Sequence, residues 1–216
     1  MWSGWTEATV HALEVATGRP VRGPLFAMLG YDPDVGRAHA GGALIATPMA
    51  RLRDLTAGVL EAEGIAPDAT EAALAVAWHA PDPVTLAHPL TDLRALLGAQ
   101  RAAGRRTAIA TTDDRAPTER TLIALGIDGL VDATVCADDG IAAKPAPDMV
   151  VHLARGCGVE PARTAVVGDS PADMAMGRAA GAGLVLGVLT GIGARADLHA
   201  ADRILESVEA LLPPTS

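Results

Sequence analysis

Aromatic residues, cysteine and clusters of positive charge are all scarce in this sequence. Phe, Trp and Tyr make up 2% of the 216 residues, so the core must be built mainly from Ala, Val, Leu and Ile. The net charge is −9 at pH 7 and no basic patch is visible, which argues against a nucleic-acid-binding protein. The two cysteines, Cys136 and Cys157, lack CxxC spacing, which favours reduced thiols in a cytoplasmic protein.

Long hydrophobic segments are also lacking. No run of about 18 apolar residues is present, so no transmembrane helix is expected. The N-terminus has neither the basic region nor the apolar region of a signal peptide. We therefore expect a cytoplasmic protein whose partners include neither nucleic acid nor membrane, and the sequence leaves its oligomeric state open.

The first part of the chain has the apolar spacing of helices. This spacing predicts helices over 6–17 and 48–63, and Asp68 is a suitable N-cap for a third helix. Between the first two helices, the stretch 30–42 is rich in Gly, Pro and Asp, which is typical of turns. We expect residues 1–85 to form a small helical segment.

Strands alternate with helices in the rest of the chain, beginning with a helix capped by Thr91. The stretches that contain the expected strands are 107–110, 132–139, 164–167, 183–189 and 202–205. Such alternation indicates βαβ units and a parallel sheet. We therefore expect an α/β fold with a doubly wound parallel sheet over residues 86–216.

Polar side chains follow three of the expected strands. Thr111 and Thr112 follow the first strand, Lys144 comes after the second, and Asp169 and Asp173 follow the third. Because ligands bind at the carboxyl ends of the strands in such sheets, these side chains are expected to face one cleft. Hydroxyl and ammonium groups suit a phosphate, and carboxylates suit Mg²⁺.

Most of these residues also have an ordinary structural explanation. A threonine often ends a strand, and acids near a helix N-terminus are favoured by the helix dipole. Lys144 is more informative because it is the only lysine in a chain that otherwise uses arginine for positive charge. A single compact ammonium group indicates a specific role at that position.

Three motifs, taken in order, resemble those of the haloacid dehalogenase superfamily. AIATTDD is similar to its second motif, KPAPD to its third, and VVGDSPADMAMGRAAGAG to its fourth. The resemblance covers roughly residues 85–216 and is to the phosphoglycolate-phosphatase-like phosphohydrolases. It implies a Rossmann-like core with a small helical cap that closes over the substrate.

The same resemblance implies a Mg²⁺-dependent phosphomonoesterase that acts on a small phosphorylated metabolite through an aspartyl-phosphate. It implies that Thr111 and Lys144 are catalytic and that both, together with Thr112, bind the phosphate. It further implies that Asp169 and Asp173 form the metal site, with Asp169 binding Mg²⁺ and Asp173 supporting it.

The superfamily's first motif, a strand that ends in an Asp-x-Asp nucleophile, has no clear counterpart. The nearest pattern is Asp32-Pro33-Asp34, which follows a helix-like stretch. Pro33 removes a backbone N–H where a phosphate needs donors, so we interpret Asp32 as a turn residue. We expect that the first central strand and its nucleophile are missing and that the 216-residue chain is inactive. The strands over 107–110 and 164–167 should then face a gap or meet directly.

Other functions use similar residues. A non-catalytic phosphate-binding protein would keep the phosphate site without its nucleophile, and the sequence leaves this alternative open. A signalling receiver domain also uses Asp, Thr, Lys and Mg²⁺, but its acid pair precedes the lysine. A metal-free dehalogenase is disfavoured, because the pair Asp169 and Asp173 suits a cation.

Overall fold

Helices dominate the first part of the chain and alternate with strands in the second. The computed structural model describes residues 3–39 and 41–212. It divides into two units, Met1–Asp82 and Pro83–Ser216, each with its own core. Within the described ranges, no helix is both long and apolar enough to cross a membrane.

The first unit contains five helices and one short hairpin within its described residues. The helices are α1 (Ser3–Thr17), α2 (Arg22–Leu29), α3 (Ala43–Ala46), α4 (Met49–Ala62) and α5 (Pro67–Ala77). The two long helices predicted from apolar spacing, α1 and α4, are confirmed. The predicted capping role of Asp68 is wrong: Ala66 is the N-cap of α5, and Asp68 lies in the first turn.

A hairpin occupies the stretch for which only turns were expected. Its strands are β1 (Tyr31–Asp32) and β2 (Arg37–Ala38), which pair antiparallel. The Asp32 carboxylate accepts hydrogen bonds from the backbone N–H groups of Asp34, at 2.9 Å, and Val35, at 3.4 Å. Asp32 therefore closes the hairpin turn, in agreement with its interpretation as a turn residue.

The second unit contains five helices and five strands within its described residues. The helices are α6 (Pro83–Leu86), α7 (Leu93–Ala102), α8 (Arg115–Leu125), α9 (Asp148–Gly156) and α10 (Pro171–Ala179). The strands are β3 (Ala108–Ala110), β4 (Ala133–Val135), β5 (Ala165–Gly168), β6 (Leu184–Val188) and β7 (Arg203–Leu205). Asp92 rather than Thr91 caps α7, because its carboxylate accepts the Ala95 N–H at 2.9 Å.

The strands of this unit form two parallel sheets. One has the order β3-β4 and the other the order β5-β6-β7. Both pack on one apolar cluster, in which Val135 of β4 and Val166 of β5 meet Met149 of α9 and Met176 of α10. The α/β class with parallel strands is therefore confirmed, and the carboxyl ends of the strands carry the residues of interest.

In the part of the chain that the structure describes, β3 of one sheet and β5 of the other are each paired on one side only. Within the described part of the chain, β3 pairs only with β4, and β5 pairs only with β6. Strands of a parallel sheet are normally buried on both faces, but the Val167 side of β5 is 38% exposed. Direct pairing of β3 with β5, one of the two expected outcomes, is thus not observed among the described residues.

Candidate functional site

The start of α10 places two carboxylates beside each other. Ser170 is the N-cap, and its hydroxyl accepts the Asp173 N–H at 3.2 Å while the Asp173 carboxylate accepts the Ser170 N–H at 3.1 Å. This reciprocal capping box satisfies two backbone donors at the helix end. A Cβ at Gly168 would lie 2.5 Å from the carboxyl carbon of Asp173. Only glycine at this position therefore lets the end of β5 lie so close to the Asp173 side chain.

Lys144 binds Asp173 from the loop that follows β4. The Lys144 Nζ atom donates to Asp173 Oδ1 at 2.7 Å, and the two side chains are only 16% and 7% exposed. The other oxygen of Asp173, Oδ2, accepts from the Ser170 hydroxyl at 2.6 Å and from the Asp169 N–H at 3.3 Å. Both oxygens of Asp173 are therefore engaged within the chain, which suits a residue that orients Lys144.

Asp169 is held by the loop after β6. Its Oδ2 atom accepts the Ile192 N–H at 2.9 Å, and its carbonyl oxygen accepts the Gly193 N–H at 2.9 Å. No hydrogen bond to its Oδ1 atom occurs within residues 3–39 and 41–212. One carboxylate oxygen of Asp169 therefore remains available to a ligand.

Thr111 lies at the carboxyl end of β3 and continues its pairing with β4. Its N–H donates to the carbonyl of Val135 at 3.0 Å. Its hydroxyl donates to the Asp113 carboxylate at 3.0 Å and accepts the Asp113 N–H at 3.0 Å. Among the described residues, no hydrogen bond joins Thr111 or Thr112 to Lys144 or Asp169.

The structure thus brings Lys144, Asp173 and Asp169 into one hydrogen-bonded group. Thr111 and Thr112 lie at a neighbouring strand end, outside that group. The assignment of these five residues to phosphate and metal binding stays a prediction.

Arg115, a residue that the sequence analysis did not single out, links the loops after β3 and β4. Its guanidinium donates to both oxygens of Asp139, at 2.8 Å and 2.6 Å, and to the Thr134 carbonyl at 3.0 Å. Its N–H donates to Asp138 at 2.8 Å. A basic residue in the first turn of α8 opposes the helix dipole, and this was the available sequence signal for a nearby acid.

The charges around this link shift the pKa values of the neighbouring acids. Hydrogen bonds from Arg115 and from the Cys136 N–H hold the pKa of Asp139 below its usual range. Burial, with the nearby charges of Asp138 and Asp113, raises the pKa of Asp114. The loop after β4 therefore carries an ionised acid, Asp139, which is paired with Arg115. The loop after β3 carries Asp114, an acid that resists ionisation.

Of the two acids at the start of α10, only Asp169 has a carboxylate oxygen that accepts no hydrogen bond from the described residues. Within the described residues, no group of three or more His, Cys, Asp or Glu side chains is placed to hold a metal. Asp169 fits a hard cation such as Mg²⁺, which is often bound through one or two protein carboxylates while it keeps several waters. Asp173 fits a supporting role better, because Lys144 and the capping box already use both of its oxygens.

In the helical unit, several polar side chains have contacts within that unit. The indole N–H of Trp5 donates to the His79 carbonyl at 2.6 Å. Arg22 pairs with Glu14 at 3.1 Å, and the Arg19 guanidinium donates to a backbone carbonyl. These contacts account for Trp5, Arg19 and Arg22 as structural residues of this unit.

Comparison with known proteins places these observations in context. Residues 28–181 match the family described as haloacid dehalogenase-like hydrolase. A phosphoglycolate phosphatase of Rhodospirillum rubrum is 37% identical over 120 residues, which are 55% of this chain and 50% of that protein. A plasmid-encoded phosphoglycolate phosphatase of Cupriavidus necator is 34% identical over 163 residues, 73% of this chain and 70% of that protein.

A solved structure shows the same fold at low identity. It is the HAD family hydrolase of Deinococcus radiodurans R1, solved with bound phosphate and sodium. The TM-score is 0.57 with 22% identity, over 96% of this chain and 92% of that one. The chain spans half the length of the Rhodospirillum relative, so that relative's whole activity is not carried over by the match alone.

Proposed function

Because this chain belongs to the haloacid dehalogenase-like hydrolases, we propose that its site serves the Mg²⁺-dependent hydrolysis of a small phosphorylated metabolite. The observation that carries the proposal is the buried pair of Lys144 and Asp173, with Asp169 hydrogen-bonded beside it. The match to two phosphoglycolate phosphatases supports phosphoglycolate as the first substrate to assay. The proposed localisation is the cytoplasm, and the proposed partners exclude nucleic acid and membranes.

Lys144 is the proposed electrostatic partner of the phosphate. Its ammonium group would offset the negative charge that phosphate oxygens carry during transfer. Asp173 is proposed to position that ammonium group through the 2.7 Å ion pair. Thr111 and Thr112 are proposed to donate hydrogen bonds to the phosphate, which requires the Thr111 hydroxyl to exchange its Asp113 partner for a phosphate oxygen.

Asp169 is the proposed direct ligand of Mg²⁺. The bound ion would supply positive charge to the phosphate oxygens and help to orient them. The free Oδ1 atom of Asp169 supports this assignment. Asp173 is proposed to act on the metal only indirectly, by fixing the start of α10.

The nucleophile is proposed to be an aspartate on a strand between β3 and β5, which would form an aspartyl-phosphate. The unpaired edges of these two strands support such a position. Within the described residues, the nearest Asp-x-Asp pattern closes a hairpin turn through Asp32. We therefore propose that the 216-residue chain is inactive alone, with residues 1–85 as the cap that selects the substrate.

A non-catalytic phosphate-binding protein is the second candidate function. It is favoured by the same unpaired edges, since a chain without the nucleophile could still bind phosphate through Lys144. The DNA upstream of Met1 separates the two candidates. An in-frame segment that encodes a strand ending in Asp-x-Asp supports the hydrolase, and a stop codon immediately upstream supports the binding protein.

Phosphate release tests the proposal directly. The 216-residue chain and the chain extended through the upstream segment are each assayed with Mg²⁺ against phosphoglycolate and a panel of phosphorylated metabolites. The proposal expects turnover from the extended chain alone, abolished by Lys144→Ala. Turnover by the 216-residue chain, or none by a folded extended chain, would contradict it.

A further inference from the structure

The loop that follows β6 contacts Asp169 at two atoms. The Ile192 N–H donates to the Oδ2 atom of the Asp169 side chain, and the Gly193 N–H donates to the carbonyl oxygen of the same residue, each at 2.9 Å. Side chain and backbone of Asp169 are therefore fixed by two consecutive peptide groups. This contact joins the carboxyl ends of β5 and β6, which are neighbours in the three-stranded sheet.

The loop can lie this close only because it carries two glycines. A Cβ at Gly191 would overlap the carboxylate of Asp169, and a Cβ at Gly193 would lie 2.5 Å from the Asp169 carbonyl oxygen. Neither glycine has the left-handed backbone that excludes other residues. Space, rather than backbone conformation, is therefore the reason why these two positions lack side chains.

The two acids at the start of α10 are held in different ways. A glycine, Gly168, also lets the chain approach Asp173, but Lys144 and the capping box occupy both carboxylate oxygens there. At Asp169 the loop occupies Oδ2 alone. The N–H of Ile192 thus uses one oxygen and leaves the other to make a single contact with a cation.

We propose that Gly191 and Gly193 are positioning residues, which let the 189–193 loop present Asp169 as a one-oxygen ligand of a divalent cation. The assignment rests on the proposed metal role of Asp169. It adds that the loop after β6, which supplies no acidic side chain of its own, determines the cation affinity. A substitution at Gly191 should therefore weaken cation binding more than a substitution elsewhere that destabilises the fold to the same degree.

Thermal unfolding of single and double variants tests the contact itself, without any metal. Overpacking in Gly191→Ala should lower Tm by roughly 3–10 °C. Asp169→Gly removes the three atoms nearest to the new methyl group, so adding Gly191→Ala to it should lower Tm much less. Gly129→Ala is the matched control, because nothing lies near its Cβ position. If Gly191→Ala lowers Tm equally with and without Asp169→Gly, the contact between positions 191 and 169 is contradicted.

Cation binding tests the positioning role. Mn²⁺ is the probe, since it shares the preference for carboxylate oxygen, and its free concentration is measured by electron paramagnetic resonance. We expect Asp169→Asn to abolish binding to the 216-residue chain and Gly191→Ala to raise Kd at least about tenfold, through lost orientation of the ligand. Val150→Ala, which removes buried side-chain volume in α9, should lower Tm and leave Kd unchanged.

The outcomes separate this inference from the proposed function. Mn²⁺ binding that Asp169→Asn abolishes and Gly191→Ala leaves intact overturns the positioning role alone. Absence of Mn²⁺ binding to the unaltered chain, or binding that survives Asp169→Asn, overturns the metal assignment and the positioning role together. If Val150→Ala weakens Mn²⁺ binding as much as Gly191→Ala does, lost stability alone explains the change in Kd, and the inference is overturned.

Discussion

The single lysine of the chain is nearly buried and directly paired with an acid. A buried ion pair adds little to the stability of a fold compared with apolar residues of similar volume. Removal of one partner, however, leaves the other charge buried and uncompensated. Lys144 and Asp173 meet this condition, with side chains 16% and 7% exposed. The pair therefore fixes both its members in place, whether or not a phosphate is present.

Lys144→Met is expected to lower the free energy of unfolding by about 3 kcal/mol, because the charge of Asp173 then remains buried without its cation. Urea unfolding followed by circular dichroism measures the change. Asp173→Asn in the same chain should recover part of the loss. Arg51→Ala, which removes an exposed ion pair with Asp54, serves as the control and should have no measurable effect. A loss no larger than that of the control would contradict the pairing.

The only tyrosine of the chain is also buried. Burial, with a hydrogen bond to Glu7, raises the pKa of Tyr31 from 10.0 to about 12. The folded state disfavours the ionised phenol, so this contribution to stability is fully present below pH 10.0 and is lost as the pH rises towards 12. An ultraviolet titration should show the phenol ionising near pH 12 in the folded chain and near 10 in urea. Glu7→Gln should lower the folded value only in part.

Residue order was enough to predict part of the site. The uniqueness of Lys144 and the acids after β5 led to the group that the structure joins, because strand ends and helix starts are local features. Arg115 and Gly191 were missed, since arginine and glycine are common in this chain and each of the two contacts a residue more than 20 positions away. Such contacts depend on how strands are ordered in the sheet, which a single sequence does not state.

At the scale of elements, the loops after β3 and β4 are joined by the bidentate pair of Arg115 and Asp139. The Ala137 N–H also donates to the Asp113 carbonyl at 3.0 Å. A second pair, Arg106 with Asp132 at 2.8 Å, joins the opposite, amino ends of the same strands. The two pairs hold opposite ends of the same strands, which makes one a control for the other.

Arg115→Ala is expected to speed hydrogen exchange at Cys136, whose N–H donates to Asp139 at 2.8 Å. Arg106→Ala should leave that amide protected. The pKa of Asp139 is depressed, so the protection is present above the ordinary range of aspartate and is lost as the pH falls through the depressed value. Exchange measured by mass spectrometry at several pH values decides the matter, and equal effects of both variants would contradict a local role for Arg115.

Element types were easier to predict than their ends. Gly126, with φ of 65°, ends α8, because only glycine adopts this conformation at low cost. The caps of α5 and α7 were each assigned wrongly, since neighbouring polar residues compete for such positions. The hairpin of β1 and β2 was missed because its two-residue strands carry no measurable alternation.

At the scale of the whole molecule, the parallel sheets of the second unit share one apolar cluster but no hydrogen bonds between β3 and β5 among the described residues. The alternation of strands and helices predicted the α/β class. That β3 and β5 do not pair was expected only from the predicted lack of the first motif, not from any property of the strands themselves. The residues of the proposed phosphate site all lie in the second unit.

Competition for the single lysine is the most direct test of the proposed phosphate site. The chain is treated with an amine-reactive acylating reagent, with Mg²⁺ and increasing inorganic phosphate, and modification is located by mass spectrometry. Lys144 should be protected about tenfold once phosphate reaches ten times its dissociation constant, while the N-terminal amine, an internal control, reacts unchanged. Lys144→Arg must remove the signal. Equal reactivity of Lys144 with and without phosphate, in a chain that still melts cooperatively, would contradict a phosphate site at Lys144.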